Sequence, residues 1–150
     1  MDLQPTAMQD EWSTDFGVGC KYFSQDAVIK LAPWAGIDVP ADLSLAEKLK
    51  FVQKLMEADD ERAQAVFETI GAYLAYTVVL YSQFYDLEYL MLLGRVMSGK
   101  GGDTILATCQ AVLSDEFPAL AAKVQVMLPD EKTRRVGQSA AAASLPDIRK

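Results

Sequence analysis

Glu88-Tyr-Leu-Met-Leu-Leu-Gly94-Arg-Val-Met-Ser-Gly-Lys-Gly-Gly102 decides the fold. The residues between Glu88 and Gly94 are a short, unbroken apolar run, the pattern of a strand buried on both faces. Glycine-rich sequence follows as far as Gly102. Asp103 then stands where a helix cap belongs, before TILATCQAVLSDEF, whose Ile105, Leu106, Cys109 and Leu113 share one helical face. Pro118 is expected to end that helix, and Lys123-Val-Gln-Val-Met-Leu128 reads as a second strand. Strand, glycine turn, helix and strand make a βαβ unit, right-handed by default, with parallel strands. The expected fold class is therefore α/β and helix-rich, with short parallel strands near 88–94 and 123–128.

Upstream, the period is helical. Ser44 with Glu47 three residues on has capping-box spacing, and Leu45, Leu49, Val52, Leu55 and Met56 continue at helical intervals. Asp59 or Asp60 is expected to cap a long helix running to about Phe84, with Ala63, Val66, Phe67, Ile70, Leu74, Thr77, Val78 and Tyr81 as its apolar set. Its second half, AYLAYTVVLY, is apolar on nearly every side, so a long buried helix is predicted near 60–84. The tyrosines at 73, 76, 81, 85 and 89 read as core or rim packing with hydroxyls reaching outward. Ser24 caps a shorter helix that Pro33 and Gly36 stop, and residues 1–23, without period, read as an irregular or mobile N-terminal segment. Pro129-Asp130 opens a last predicted helix through Ala143, with Ala140–Ala143 as a small-residue face.

Composition narrows the chemistry. The chain has 150 residues and a net charge of −7, which disfavours a nucleic-acid binder because phosphate neutralisation needs a basic face. It has no histidine, which removes Ser-His and Cys-His nucleophile pairs and imidazole metal sites. Cys20 and Cys109 are far apart and outside any CxxC pattern, so neither a zinc site nor a redox pair is spelled out. No basic start followed by an apolar core precedes them, and the apolar stretch around Tyr73–Leu93 is interrupted by Gln83, Asp86 and Glu88. A reduced, cytoplasmic setting without membrane contact is expected. Residues 1–75 hold 13 acids and 6 bases, a net −7, whereas residues 76–150 hold 8 and 8. The neutral half is the better place for an anionic ligand.

That half contains the glycine stretch. Gly94–Lys100, GRVMSGK, matches the first seven positions of the phosphate-binding P-loop, but Gly101 stands where a Ser or Thr hydroxyl would hold magnesium. No apolar strand ending in Asp supplies a second magnesium ligand. A tight turn needing positive φ accounts for some of the glycines. Four within nine residues, beside a helix N-terminus and the cations Arg95 and Lys100, also let a backbone approach a flat or anionic ligand. A nucleotide or other phosphate-bearing ligand is expected near 94–103, at the carboxyl end of the first strand.

These residues resemble a known family. MLLGRVMSGKGGDTIL, DEFP and LPDEKTRRVGQSAAAASLP are similar to the C-terminal part of sugar kinases of the ROK (repressor, open reading frame, kinase) type, in the hexokinase–actin-like ATPase superfamily. AEKLKFVQKLMEADDERAQAVFETIGAYLAYTVVLY resembles the segment that leads to the ligand-loop strand, and the likeness spans about residues 24–146. It implies a ribonuclease-H-like lobe over residues 24–150 that contacts adenosine through Gly94, Ser98, Gly99, Lys100, Gly101 and Gly102, with ATP and Mg as cofactors. Gly137 and Ala140–Ala143 would lie on a helix where two lobes cross, and Arg134 and Arg135 read as solvated helix charges. The DxGxT phosphate loop and catalytic aspartate of the missing N-terminal lobe are absent, the nearest fragment being Asp15-Phe-Gly17. The family's histidine-containing zinc motif is absent too. The resemblance thus implies an adenine-nucleotide-binding lobe that is not a competent kinase alone, with no catalytic or metal-ligating residue of its own.

Two other readings remain open. One is a non-catalytic interaction or dimerisation module, its exposed tyrosines and alanine-rich helix meeting a partner lobe or a second copy. Alternatively Asp103, Asp115 and Glu116 are the carboxylates from which an unsplit enzyme would draw its acid and base, although capping already explains them. Gly99 and Gly101 are expected to lie outside the core, so that valine there would abolish ligand binding without unfolding the chain.

Overall fold

The structure is a computed structural model and describes residues 4–129. The predicted helix from Pro129-Asp130 to Ala143, with Arg134, Arg135, Gly137 and Ala140–Ala143, lies outside the described residues. The elements in order are α1 (Cys20–Phe23), α2 (Gln25–Trp34), α3 (Leu45–Glu57), α4 (Glu61–Ser82), β1 (Tyr89–Met91), a 3-10 turn (Arg95–Met97), α5 (Gly99–Glu116), α6 (Pro118–Ala121) and β2 (Gln125–Met127). The fold is helix-rich α/β, with one small parallel sheet.

Local chemistry sets the helix starts. Ser24 Oγ accepts from Asp26 N, and Asp60 Oδ1 accepts from Arg62 N. At α3 the capping box is complete: Ser44 Oγ accepts from Glu47 N, and Glu47 Oε2 accepts from Ser44 N at 2.9 Å. The Ser44 hydroxyl, which donates to Glu47 Oε2 at 2.6 Å, and then the Ser44 N–H hold the Glu47 carboxyl below its ordinary range. α3 closes with Asp59 N bonded to Met56 O and Asp60 N to Leu55 O, a Schellman arrangement that leaves Asp59 at φ 59°. An aspartate tolerates that left-handed conformation better than a bulkier residue does.

The core lies chiefly between α4 and α5, with α2 and α3 packed around it. Phe67, Ile70, Val66 and Val78 from α4 and Ile105, Cys109 and Leu113 from α5 are fully buried, joined by Val28 and Val52. Each large side chain among them is worth about 1.5–3 kcal/mol in transfer free energy. The two helices approach closely at Gly71, where a Cβ would lie 2.7 Å from Thr108 Cβ and 2.8 Å from Ile105 O.

Four expectations need correction. β1 pairs in parallel with β2 (Tyr89 with Gln125, Leu90 with Val126, Met91 with Met127), but it is not buried on both faces. Tyr89 and Met91 are 67% and 46% exposed, because the sheet has only these two strands among the described residues and nothing there covers its second face. The long helix is buried along one side, not all round: its C-terminal half presents Tyr73, Tyr76, Leu80 and Tyr81 to solvent. α5 begins at Gly99, so Asp103 sits in the second turn and caps nothing. Gly101 does not lie outside the core; it is buried against Phe67.

Residues 4–23 lack long regular elements but are fastened to the body. Gln9 and Phe16 form an antiparallel bridge, and Lys21, 3% exposed, pairs with Glu11 and with Asp26 at 2.8 Å. Those hydrogen bonds, Asp26 first and then Glu11, raise the Lys21 pKa against the opposing effect of burial. Asp10 accepts from Trp12 N and Ser13 N, and the Ser13 bond is the main cause that lowers its pKa.

Candidate functional site

The glycine turn stands where the sequence places it, between β1 and α5. Gly94 has φ 121° and Gly99 φ 65°, so both need the freedom that glycine alone provides readily. Gly101 and Gly102 serve a different purpose. A Cβ on Gly101 would meet the Phe67 ring at 2.6 Å, and one on Gly102 would meet Met97 O at 2.2 Å. These two glycines let the first turn of α5 press against α4 and against the preceding turn.

The helix N-terminus already holds a carboxylate. Glu57, the last residue of α3, accepts the Lys100 N–H at Oε1 over 3.2 Å, and the same oxygen lies 2.7 Å from where a Gly99 Cβ would be. Lys100 Nζ donates to Asp59 Oδ1 at 2.8 Å and to Glu57 O at 3.3 Å. The Asp59 contact is the main reason the Lys100 pKa is raised. Gln53 Nε2 donates to Arg95 O at 3.0 Å and to Ser98 O at 3.4 Å, tying α3 to the other side of the turn. The Ser98 side chain makes no cap bond at its N-cap position, although it is exposed. Thus Gly94, Ser98, Gly99 and Lys100 lie at the surface, Gly101 and Gly102 are buried, and Glu57 occupies the place where the helix dipole favours an anion.

Glu57 and Gln53 escape sequence reading. They are ordinary helix residues in α3, and only the docking of α3 against α5 gives them a role. Magnesium does not fit this turn: the position that would supply a hydroxyl is the buried Gly101, and the Asp59 carboxylate is already paired with Lys100. Beside Gly94 and Arg95 opens a cavity of about 650 Å³, bordered also by Asp10, Glu11, Lys21 and Asp26. Three carboxylates against two cations make it a poor receptor for phosphate. No group of three His, Cys, Asp or Glu side chains suited to a metal is present among the described residues.

A second surface is open. Along the C-terminal half of α4 and just beyond it, Tyr73, Tyr76, Leu80 and Phe84 are 37%, 49%, 49% and 72% exposed, and Tyr81 and Tyr85 flank them at 42% and 65%. The spacings of three, four and four residues put the first four on one stripe. Tyr73, Tyr76, Thr77, Leu80 and Tyr81, with Tyr22 and Phe23 from α1, line a groove of about 370 Å³. Edge-to-face contacts order the rings: Tyr22 with Tyr73 at 5.6 Å, Tyr76 with Phe117 at 6.0 Å and Tyr81 with Tyr85 at 6.4 Å. Tyr76 Oη donates to the Glu116 carboxylate at 2.8 Å, which raises the Tyr76 pKa. By length and composition α4 is apolar enough to cross a membrane, a test that core helices of soluble proteins also pass.

Compared with known proteins, the chain matches no protein-family model, no curated protein and no solved structure.

Proposed function

We propose that this chain is a non-catalytic interaction lobe, on a scaffold resembling the C-terminal lobe of a ROK-type sugar kinase, that pairs with a second protein body through α4. The observation that carries this reading is the exposed aromatic stripe of Tyr73, Tyr76, Leu80 and Phe84 with its flanking groove. Monomeric proteins seldom leave so continuous an apolar band in water, and interface centres are enriched in such aromatic side chains. The test is a photo-crosslinking amino acid at position 80, with a control at the exposed Lys50, in cells producing the chain. A protein adduct at 80 and none at 50 is expected; no adduct at 80 overturns the reading.

A second reading is favoured by the turn itself: adenine-nucleotide binding at Gly94–Gly102, at the carboxyl end of β1, where Gly94, Ser98, Gly99 and Lys100 lie at the surface. On this reading Glu57 competes for the helix N-terminus, so Glu57→Gln should raise the affinity for ATP and ADP. Isothermal titration at millimolar nucleotide, with and without magnesium, decides it. No heat from either the native chain or Glu57→Gln removes nucleotide binding.

A further inference from the structure

We infer that the occupant of the α4 face is a second copy of this chain, packed helix to helix about a two-fold axis near the middle of the stripe. The inference rests on reading that face as a docking surface, and it names the partner.

Three observations favour a like copy. The stripe at 73, 76, 80 and 84 has the near-heptad spacing of a seam that receives another helix. No charged residue lies between Glu68 and Asp86, and the Glu116 carboxylate beside the stripe already accepts the Tyr76 hydroxyl, so little charge patterning is left to select an unlike partner. Among the described residues, 76–129 hold five acids and three bases against 13 and 6 in residues 1–75, so the part of the chain that carries most of the stripe brings only modest mutual repulsion.

Size is sufficient. The six exposed side chains Tyr73, Tyr76, Leu80, Tyr81, Phe84 and Tyr85 offer about 600 Å² per copy if a whole aromatic side chain is taken as about 200 Å². Two copies would bury about 1,200 Å², the lower edge of stable protein interfaces. An antiparallel arrangement sets Tyr73 of one copy near Phe84 of the other and brings the two Leu80 side chains within about one helical turn, a self-complementary contact. The ring contacts already present within each copy keep the ordering cost low.

Sedimentation velocity on the whole purified chain tests this from about 1 µM to about 200 µM, a range that spans the weak association expected at the small end of stable interfaces. The expected result is reversible conversion from 16.5 kDa to twice that mass. Leu80→Glu, at a half-exposed site, should keep the native thermal transition but weaken the dimer about 100-fold or more, because it places an unpaired carboxylate in the seam. Mixing Leu80→Glu with Leu80→Lys should restore a dimer. A monomer across the whole range, a Leu80→Glu protein that still dimerises, or a monomer that floats with phosphatidylcholine vesicles overturns the inference. A monomeric native chain that still gives a crosslinked adduct of another mass at position 80 leaves the docking surface standing and removes only the second copy.

Discussion

The first turn of α5 and the C-terminal half of α4 are both uncharged or nearly so in their own sequence, and both look available for a ligand when read as strings. In the folded chain they differ in how their neighbours treat them. At the α5 turn, Phe67, Met97, Gln53 and Glu57 come in from three other elements, fill the space beside Gly101 and Gly102 and engage the Lys100 N–H and the Arg95 carbonyl. At the α4 face, α1 and α5 cover the flanks, and the central stripe is left to solvent. Glycine marks a close approach without saying what approaches, and an apolar run marks a buried face without saying what buries it.

The sharpest way to break the contrast is Gly101→Val. If the turn is packed as described, valine collides with the Phe67 ring and costs about 3 kcal/mol, a drop in Tm of about 6–12 °C for a chain of this length. An unchanged Tm would mean that the turn is loose enough to admit a ligand. The α5 core gives a second test. Burial pushes the Cys109 thiol from 9.0 up to about 11. The fold keeps that thiol protonated after it would ionise in the unfolded chain, so its contribution is complete below pH 9 and lost as pH rises through about 11. Urea denaturation should show an alkaline loss on the order of 1–2 kcal/mol that Cys109→Ala reduces; equal slopes in both proteins would sink this account. The smallest effect belongs to the open face. Phe84→Ala, at a side chain 72% exposed, should change monomer stability by no more than about 0.5 kcal/mol. A larger loss, measured by urea denaturation at a concentration where only monomer is present, would mean that the stripe is covered from within the same chain.

Much of the fold was legible. Ser24, Ser44 with Glu47 and Asp60 announce their helices because capping acts within three residues, and the parallel pairing followed from the order of elements. The surroundings of β1 were not legible. Five apolar residues in a row look the same whether a helix layer covers both faces or one, and only the two-stranded sheet decides it. Asp103 misled for a related reason: it is a good cap in an acceptable place, but Gly99, Lys100, Gly101 and Gly102 are already helical. Of the candidate site, the need for positive φ at some of the glycines could be read, but not that Gly94 and Gly99 are the ones that meet it. The burial of Gly101 and Gly102 could not, because it depends on Phe67 and on the Met97 carbonyl meeting them in space.

The carboxylate that Glu57 offers to the Lys100 N–H is covalently part of the chain, and so behaves as a tethered ligand. A tethered group of this kind competes at an effective concentration of about millimolar or higher. A free anion arriving at the start of α5 therefore faces a competitor that no dialysis removes, and weak monovalent anions should lose to it. Displacement by a polyphosphate would release the end of α3 as well as fill the turn, so occupancy there would be felt at Asp59 and Gln53, both on the far side of the contact.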